Sequence, residues 1–356
     1  MRVMIATGGS GGHIFPALTL ARVLRKENDE VHFAGSFGVF KKQIEAQNFS
    51  LTELPLRGLS GNSRLEDLKT VLHLIVWTIK SRVLVKRIRP DVIVGFGGYG
   101  ALPLVLAGWM NKIPSVIHEQ NVIPGRANAF LSRFVQKIAV SFSETCRHFP
   151  LEKCVITGCP VNLEDKVYDR HQVLSEWGLI PDRLTILVMG GSQGSRRINQ
   201  EWLRAADLLK EDLSFQAIHI SGTRDQMMVR QGYEEMKIPA VVFDFCQQMD
   251  KVYTAADIAI SRAGAVFINE SGLHGLPVIF IPYPRAGGHQ KFNAEVYVRE
   301  GGGTVLPEED LTPARLHGAV RELAGRNLSK KRVKSLASGF ALSDAGLKLA
   351  RVVHSL

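Results

Sequence analysis

Two stretches of this chain follow one pattern: VMIATGGSGGHIFPALTLARVL near the start, and TILVMGGSQGSRRINQEWLRAADLL further on. Each is an apolar run that enters a glycine cluster and leaves as a helical periodicity, and both clusters fit GGSxG, at residues 8–12 and 190–194. Around them strand-like runs alternate with helical patterns. VMIA, VHFAG, DVIVGFGG, SVIHEQ, KIAVS and CVITG lie in the first part; TILVMGG, FQAIHISG, AVVFDF, DIAISRAG and PVIFIPYP lie in the second. Strands separated by helices pair in parallel, with helices on both sheet faces. A pattern that restarts from Gly8 to Gly190, 182 residues on, predicts two such domains. Their boundary is expected near Pro160, where CVITGCPVN gives way to the charged VYDRHQVLSEWG, giving domains 1–160 and 161–340. Ligands of open parallel sheets bind beyond the carboxyl ends of the strands, so the cleft between domains is the expected site.

The length of 356 residues, 45% hydrophobic and 22% charged, supports two cores and argues against disorder. A net charge of +10 calls for an anionic partner: nucleic acid, a phosphorylated substrate or an acidic membrane. No recognition helix, zinc finger or aromatic RNA-binding signature is present, so nucleic acid is not expected. Cys146, Cys154, Cys159 and Cys246 form neither a CxxC pair nor a Cys/His metal spacing. Neither a disulfide framework nor a zinc site is therefore expected, and the chain reads as cytosolic. The first strand begins at Arg2, leaving no place for a signal peptide, and no apolar run nears roughly 18 residues.

A strand, a glycine turn and a helix start bring unpaired N–H groups and the positive helix end to one point, which suits a phosphate. The bland alternative is a tight turn in which glycine supplies positive φ. Four such turns, at Gly8, Gly95, Gly190 and Gly264, favour the first reading. GFGGYG fits GxGxxG, with Glu119 about where a ribose-binding acid would stand. It follows a later predicted strand, however, whereas a dinucleotide fingerprint opens the first unit, and no GxxxxGK[ST] loop exists.

Taken in order over nearly the whole chain, GGSGGH, GFGGYGALP, HEQN, GGSQG, SRAGA with Glu270, and HQKFNA resemble the MurG family of peptidoglycan glycosyltransferases. That family moves N-acetylglucosamine from its UDP donor onto undecaprenyl-diphospho-muramoyl-pentapeptide, converting lipid I to lipid II. The resemblance implies an α/β GT-B fold: two Rossmann-like domains facing across a deep cleft, with a last helix, 341–356, returning to the first. It implies an inverting, cofactor-free hexosyltransferase, peripheral on the cytoplasmic face of the cell membrane, with a cell-wall synthesis complex as a further partner. In such enzymes the second domain holds the donor nucleotide and the first faces the acceptor. His13 would then stand where a proton must move, a task that Ser195 after the second loop does not have.

Displacement at the anomeric carbon needs a base for the acceptor hydroxyl and a stabilised diphosphate. His13 suits the base by its ordinary titration range, unless it only holds its loop, and Glu119 is the rival. His118 reads as structural, or as a partner orienting Glu119. There is no DxD, so no metal is expected, and the helix starts after Gly191 and Gly264, helped by Arg262, would stabilise the leaving group. Arg262 reads equally well as an interdomain ion-pair residue. Glu270 suits the two ribose hydroxyls, unless it is a helix-start charge.

The resemblance places Gly9, Ser10, Tyr99 and His118 on the acceptor. On the donor it places Ser10, Gly11, Gly12, Asn121, Ser192, Gln290 and Asn293, together with the segment Ala265, Val266, Phe267, Ile268 and Asn269. Cys246 occupies the uracil-contacting position through its backbone. Asn162 stands in GCPVN where the family usually has the arginine of GNPVR, and Phe267 replaces a small hydroxyl residue; both are departures from the family pattern on the donor side. Three other readings compete: a UDP-N-acetylglucosamine 2-epimerase, which needs no lipid acceptor; a non-catalytic nucleotide-binding scaffold at a membrane; and a nicotinamide-dependent dehydrogenase.

Residues 68–89 form an apolar helix with a basic end. Leu68, Leu72, Ile75, Ile79 and Val83 make a stripe expected to pack on the sheet, while Val71, Leu74 and Trp77 add apolar surface elsewhere. With Lys80, Arg82, Lys86, Arg87 and Arg89 this suits an anionic membrane surface; an ordinary buried helix with a solvated end is the alternative.

Overall fold

The computed structural model describes residues 1–56, 64–162, 167–284, 288–326 and 328–356, with the side chains of 64–71 outside the description. The chain divides into two units, Met1–Asn162 with Leu342–Leu356, and Leu163–Ala341.

The first unit runs β1 (Arg2–Gly8), α1 (Gly11–Lys26), β2 (Glu30–Ser36), α2 (Lys41–Glu45), β3 (Ser50–Glu53), α3 (Arg64–Ile88), β4 (Val92–Gly95), α4 (Gly98–Met110), β5 (Ser115–Glu119), α5 (Arg126–Leu131), β6 (Lys137–Val140) and β7 (Cys154–Ile156). Its strands lie in the order β3-β2-β1-β4-β5-β6-β7, all parallel. The second runs α6 (Arg170–Glu176), β8 (Leu184–Met189), α7 (Arg196–Leu209), β9 (Phe215–Ile220), α8 (Gln226–Met236), β10 (Ala240–Phe243), α9 (Met249–Ala255), β11 (Ile258–Ser261), α10 (Ala265–His274), β12 (Val278–Phe280), α11 (His289–Arg299), β13 (Gly303–Val305), α12 (Pro313–Gly325) and α13 (Lys330–Ala337). Its order is β10-β9-β8-β11-β12-β13, again parallel.

Val3, Met4, Ile5, Val92, Ile93 and Val94 are all buried, which is why these strands read as unbroken apolar runs: helices cover both faces. In each sheet the strand order reverses beside the first strand, between β1 and β4 and between β8 and β11. A crevice opens at such a switch point, and the four glycine loops are the ones that leave these four strands. At Gly194, φ is +74° and a Cβ would overlap the Ser221 carbonyl, so only glycine lets this loop pass the end of β9.

The final helix, α14 (Ala345–His354), belongs to the first unit. Leu349, Ala350 and Val353 join the core formed by Ile14, Leu18 and Leu24 of α1, and His354 Nε2 lies 2.7 Å from an Asp29 oxygen.

Two expectations are corrected here. The stripe Leu72, Ile75, Ile79 and Val83 does not pack inward: these side chains are 53–67% exposed. Ser81, Leu84 and Val85 are buried instead, with Trp77 and Ile88 half-buried against the core, so the opposite helix face docks. Leu68 and Val71 lie among the side chains outside the description. Among the described residues no helix is long and apolar enough to cross a membrane.

The second correction concerns Cys146 and Cys154, which are joined as a disulfide. Cys146 sits in a 3-10 turn after β6 and Cys154 opens β7, which pairs beside β6, so the return of the chain brings the two cysteines together. Cys159 and Cys246 are not part of a disulfide.

Candidate active site

In the first unit β1 ends in the loop that starts α1, with Gly9 at φ +93° and Ser10 at the cap position in extended conformation. Ser10 and Gly12 are exposed at the start of α1, the end of a helix where backbone N–H groups are available to an anion. His13 is half-buried in that turn. Beside it stands the start of α4: Gly98 has φ +70°, and a Cβ there would stand 3.0 Å from the Gly8 carbonyl and 3.4 Å from His13 Cδ2. Glycine at 98 keeps this edge of the imidazole open, and Tyr99 follows, half-buried. His13 Nδ1 lies 3.1 Å from Gln120 Oε1.

Glu119 closes β5 and is almost wholly buried. One of its oxygens accepts the Asn121 backbone N–H (3.0 Å) and side-chain amide (3.1 Å); the other accepts the Gly125 N–H (3.0 Å) and the Asn128 amide (2.8 Å). Four donors fill the lone-pair directions of a carboxylate. Glu119 therefore anchors the loop after β5 and has no lone pair left to take a proton from a ligand. His118 is fully buried, and its partners are the Gly158 carbonyl (3.0 Å) and Gln120, rather than Glu119. Burial pushes its pKa down to about 4, against the opposing hydrogen bond to Gly158. Asn162 is exposed in this unit, where its side-chain oxygen accepts from Arg22 of α1.

In the second unit the loop after β8 presents Ser192 exposed, and α7 begins after Ser195. The Ser195 hydroxyl accepts from Arg262 (3.0 Å). That guanidinium also pairs with Glu308, donates to the Ile281 carbonyl (3.1 Å) and lies over the Tyr283 ring. Arg262 thus has its partners within the second unit. Its charge is met within the unit, and it ties the end of β11 to the start of α7.

α10 starts at Ala265 after Gly264, so the N–H groups of Ala265, Val266 and Phe267 have no partner within the helix. The side chains do something else. Phe267 and Ile268 are buried, the Phe267 ring meeting Tyr253 and Phe280, and buried Asn269 donates to the Ala265 carbonyl (2.8 Å). A residue larger than a small hydroxyl is accommodated at 267 because it points into the core. Glu270 lies in the second turn, past the reach of the helix-start dipole, and accepts from the Tyr253 hydroxyl (2.6 Å). Burial pushes its carboxyl up to about 7, the Tyr253 bond opposing and Asp250 adding to the rise.

Gln290, in the first turn of α11, accepts the Ala263 N–H (3.1 Å) and the Tyr283 N–H (2.9 Å) on its oxygen, which orients its NH2 group as a donor. Asn293 is fully buried and donates to the Ala263 carbonyl (3.2 Å), bracing the same loop from beneath. Cys246 is half-buried, and burial raises its thiol. Sequence reasoning passed over Gln120 and Tyr253. Gln120 stood inside a quoted motif, and its pairing with His13 spans 107 residues, which no local signal carries.

Two doubly wound parallel units with glycine loops at both switch points are the architecture of the GT-B class. The glycosyltransferase family 28 N-terminal domain matches residues 3–140 and its C-terminal domain residues 185–346. A Bacillus pumilus protein named UDP-N-acetylglucosamine–N-acetylmuramyl-(pentapeptide) pyrophosphoryl-undecaprenol N-acetylglucosamine transferase is 33% identical, over 100% of this chain and 99% of its own. Its Myxococcus xanthus namesake is 36% identical, over 100% of this chain and 93% of its own. The crystal structure of Acinetobacter baumannii MurG superposes with a TM-score of 0.75 at 25% identity, covering 100% of this chain and 99% of that one. The chain belongs to the MurG family of N-acetylglucosamine transferases. A Neisseria meningitidis UDP-GlcNAc 2-epimerase reaches a TM-score of 0.68 at 12% identity, a likeness of fold alone.

Proposed function

We propose that His13 is the base of an inverting transfer of N-acetylglucosamine from UDP-N-acetylglucosamine to the 4-hydroxyl of the muramoyl sugar of undecaprenyl-diphospho-MurNAc-pentapeptide. The transfer itself is the activity of the family. The observation that carries the assignment is the contrast between two candidates: the Glu119 carboxylate is saturated by four donors, whereas His13 is half-buried with one ring edge against a glycine. A general base needs an accessible lone pair before it needs a suitable pKa. In the second unit Glu270 takes the ribose, Gln290 the sugar, and the free amides of α7 and α10 the diphosphate. Gly9, Ser10, Gly11, Gly12 and Tyr99 meet the acceptor or the reacting sugar, and Asn121 the acetamido group. A single displacement on the α-configured donor gives a β-linked product. NMR of the disaccharide should show the β-anomer; an α-linkage would require a second displacement, and this reading would then fail.

The acceptor is lipid-linked, and α3 offers a surface for its membrane. Leu72, Ile75, Val76, Ile79 and Val83 face outward, exposed Trp109, Met110 and Phe130 add apolar area, and Lys80, Arg82, Lys86, Arg87 and Arg89 are exposed among them. Each basic residue near an anionic surface contributes about 1 kcal/mol, so five give a reversible, salt-sensitive attachment. On this reading the protein attaches peripherally to the cytoplasmic leaflet, an assignment supported by the exposed apolar and basic side chains of α3. Because Trp77 packs inward, the informative variant replaces Ile75, Ile79 and Val83 by serine together with the five basic residues. The parent should sediment with anionic vesicles at low salt and detach at high salt, and the variant should not sediment; equal binding by both puts the membrane surface elsewhere.

A further inference from the structure

We propose that Gln120 is a positioning residue that selects the proton-accepting tautomer of His13. The proposal rests on the reading of His13 as the base and adds what makes it one. A neutral imidazole carries its hydrogen on either nitrogen, and the hydrogen bond made by one nitrogen decides the state of the other. His13 Nδ1 lies 3.1 Å from Gln120 Oε1, an oxygen that only accepts, so Nδ1 carries the hydrogen and Nε2 keeps its lone pair.

This holds only if the Gln120 amide is oriented with its oxygen towards His13, and its surroundings fix that orientation. The NH2 group lies 3.3 Å from the Phe96 carbonyl, 3.1 Å from the His118 carbonyl and 3.0 Å from His118 Nδ1. Exchanging oxygen and nitrogen would set the amide oxygen against two carbonyl oxygens in a buried site, at the cost of unmade hydrogen bonds. The third contact requires His118 Nδ1 to accept. His118 Nε2 stands 3.0 Å from the Gly158 carbonyl and must donate, and a fully buried, neutral histidine has no second hydrogen.

One arrangement of hydrogens therefore satisfies the whole chain: His13 Nδ1–H to Gln120, Gln120 NH2 to His118, His118 Nε2–H to Gly158. The far end is braced by the returning segment, since Gly158, at φ +79°, sits where a Cβ would lie 3.0 Å from Leu342 Cβ and 3.1 Å from Ala345 Cβ. At the near end, the Nε2 edge of His13 is the one that faces Gly98. Gln120, buried and one residue past the end of β5, thus acts through His13.

Ring-nitrogen 15N NMR of the histidine-labelled parent at pH 8, with His13→Ala used to assign the signal, reads the tautomer directly. The expected spectrum has a protonated Nδ1 and a bare Nε2 at His13; a protonated Nε2 would overturn the proposal. In Gln120→Met, which keeps the length and removes the amide, kcat should fall about 10²-fold while KM for UDP-N-acetylglucosamine stays within about twofold. The His13 signal should then move towards a mixture of tautomers. Unchanged kcat in folded Gln120→Met would also overturn the proposal, and if that variant does not fold, the parent spectrum still decides. Full activity of His13→Ala would instead remove the base reading itself, a result separate from the tautomer spectrum.

Discussion

His13→Ala should keep its donor affinity and lose about 10²-fold to 10⁴-fold in turnover, the range of a lost acid–base group. The ribose and diphosphate contacts proposed above lie in the second unit, so removing an imidazole from the first should leave UDP binding intact. The neighbours of His13 also predict a mild effect on folding. It is half-buried, its Nδ1 bond to Gln120 is a single neutral one, and such a bond contributes about 1 kcal/mol. Turnover and donor affinity of the variant, measured together, check this. Turnover near that of the parent in a folded protein would return the role to Glu119, against the four donors that saturate it.

Glu270→Ala should weaken UDP binding by roughly 1.5 to 3 kcal/mol, the loss expected for hydrogen bonds to a charged group. A deoxyribose donor should lose little more in the variant; if the variant still discriminates ribose as the parent does, the assignment fails. The raised pKa of this carboxyl adds a pH dependence with a definite sign. At about 7 the folded group is ionised in only about a tenth of molecules at pH 6 and about nine-tenths at pH 8, so the affinity of UDP-N-acetylglucosamine should rise about tenfold across that window. The donor's own diphosphate does not titrate there, and Glu270→Gln should flatten the curve. For folding the sign is opposite: a carboxyl pushed above its ordinary 4.5 favours the folded state below that value, and this preference is lost as pH rises through 7.

The strands that carry the site were legible because they are central. VMIA, VIVG and TILVM are buried on both faces, so their apolar runs are continuous, and each ends in a glycine cluster at a switch point. β3 and β13, SLTE and GTV, went unseen because short edge strands carry little apolar pattern. The docking face of α3 was inverted for a related reason: a helix apolar on both sides has no periodicity that names the inward one. The loop-bracing bonds of Arg262 and Asn293 were not legible because a polar residue beside a motif looks the same in sequence whether it meets a ligand or braces the loop that does. The Cys146–Cys154 pairing and the Gln120 chain depend on which strands become neighbours, and sheet order is set by tertiary packing.

The central claim is a transfer that requires a lipid-linked acceptor, and UDP release from UDP-N-acetylglucosamine, measured with and without undecaprenyl-diphospho-muramoyl-pentapeptide, tests it most directly. The account predicts negligible release without the acceptor and, with it, UDP appearing in step with the disaccharide lipid. Release at the same rate without acceptor, accompanied by an epimerised sugar, would contradict it.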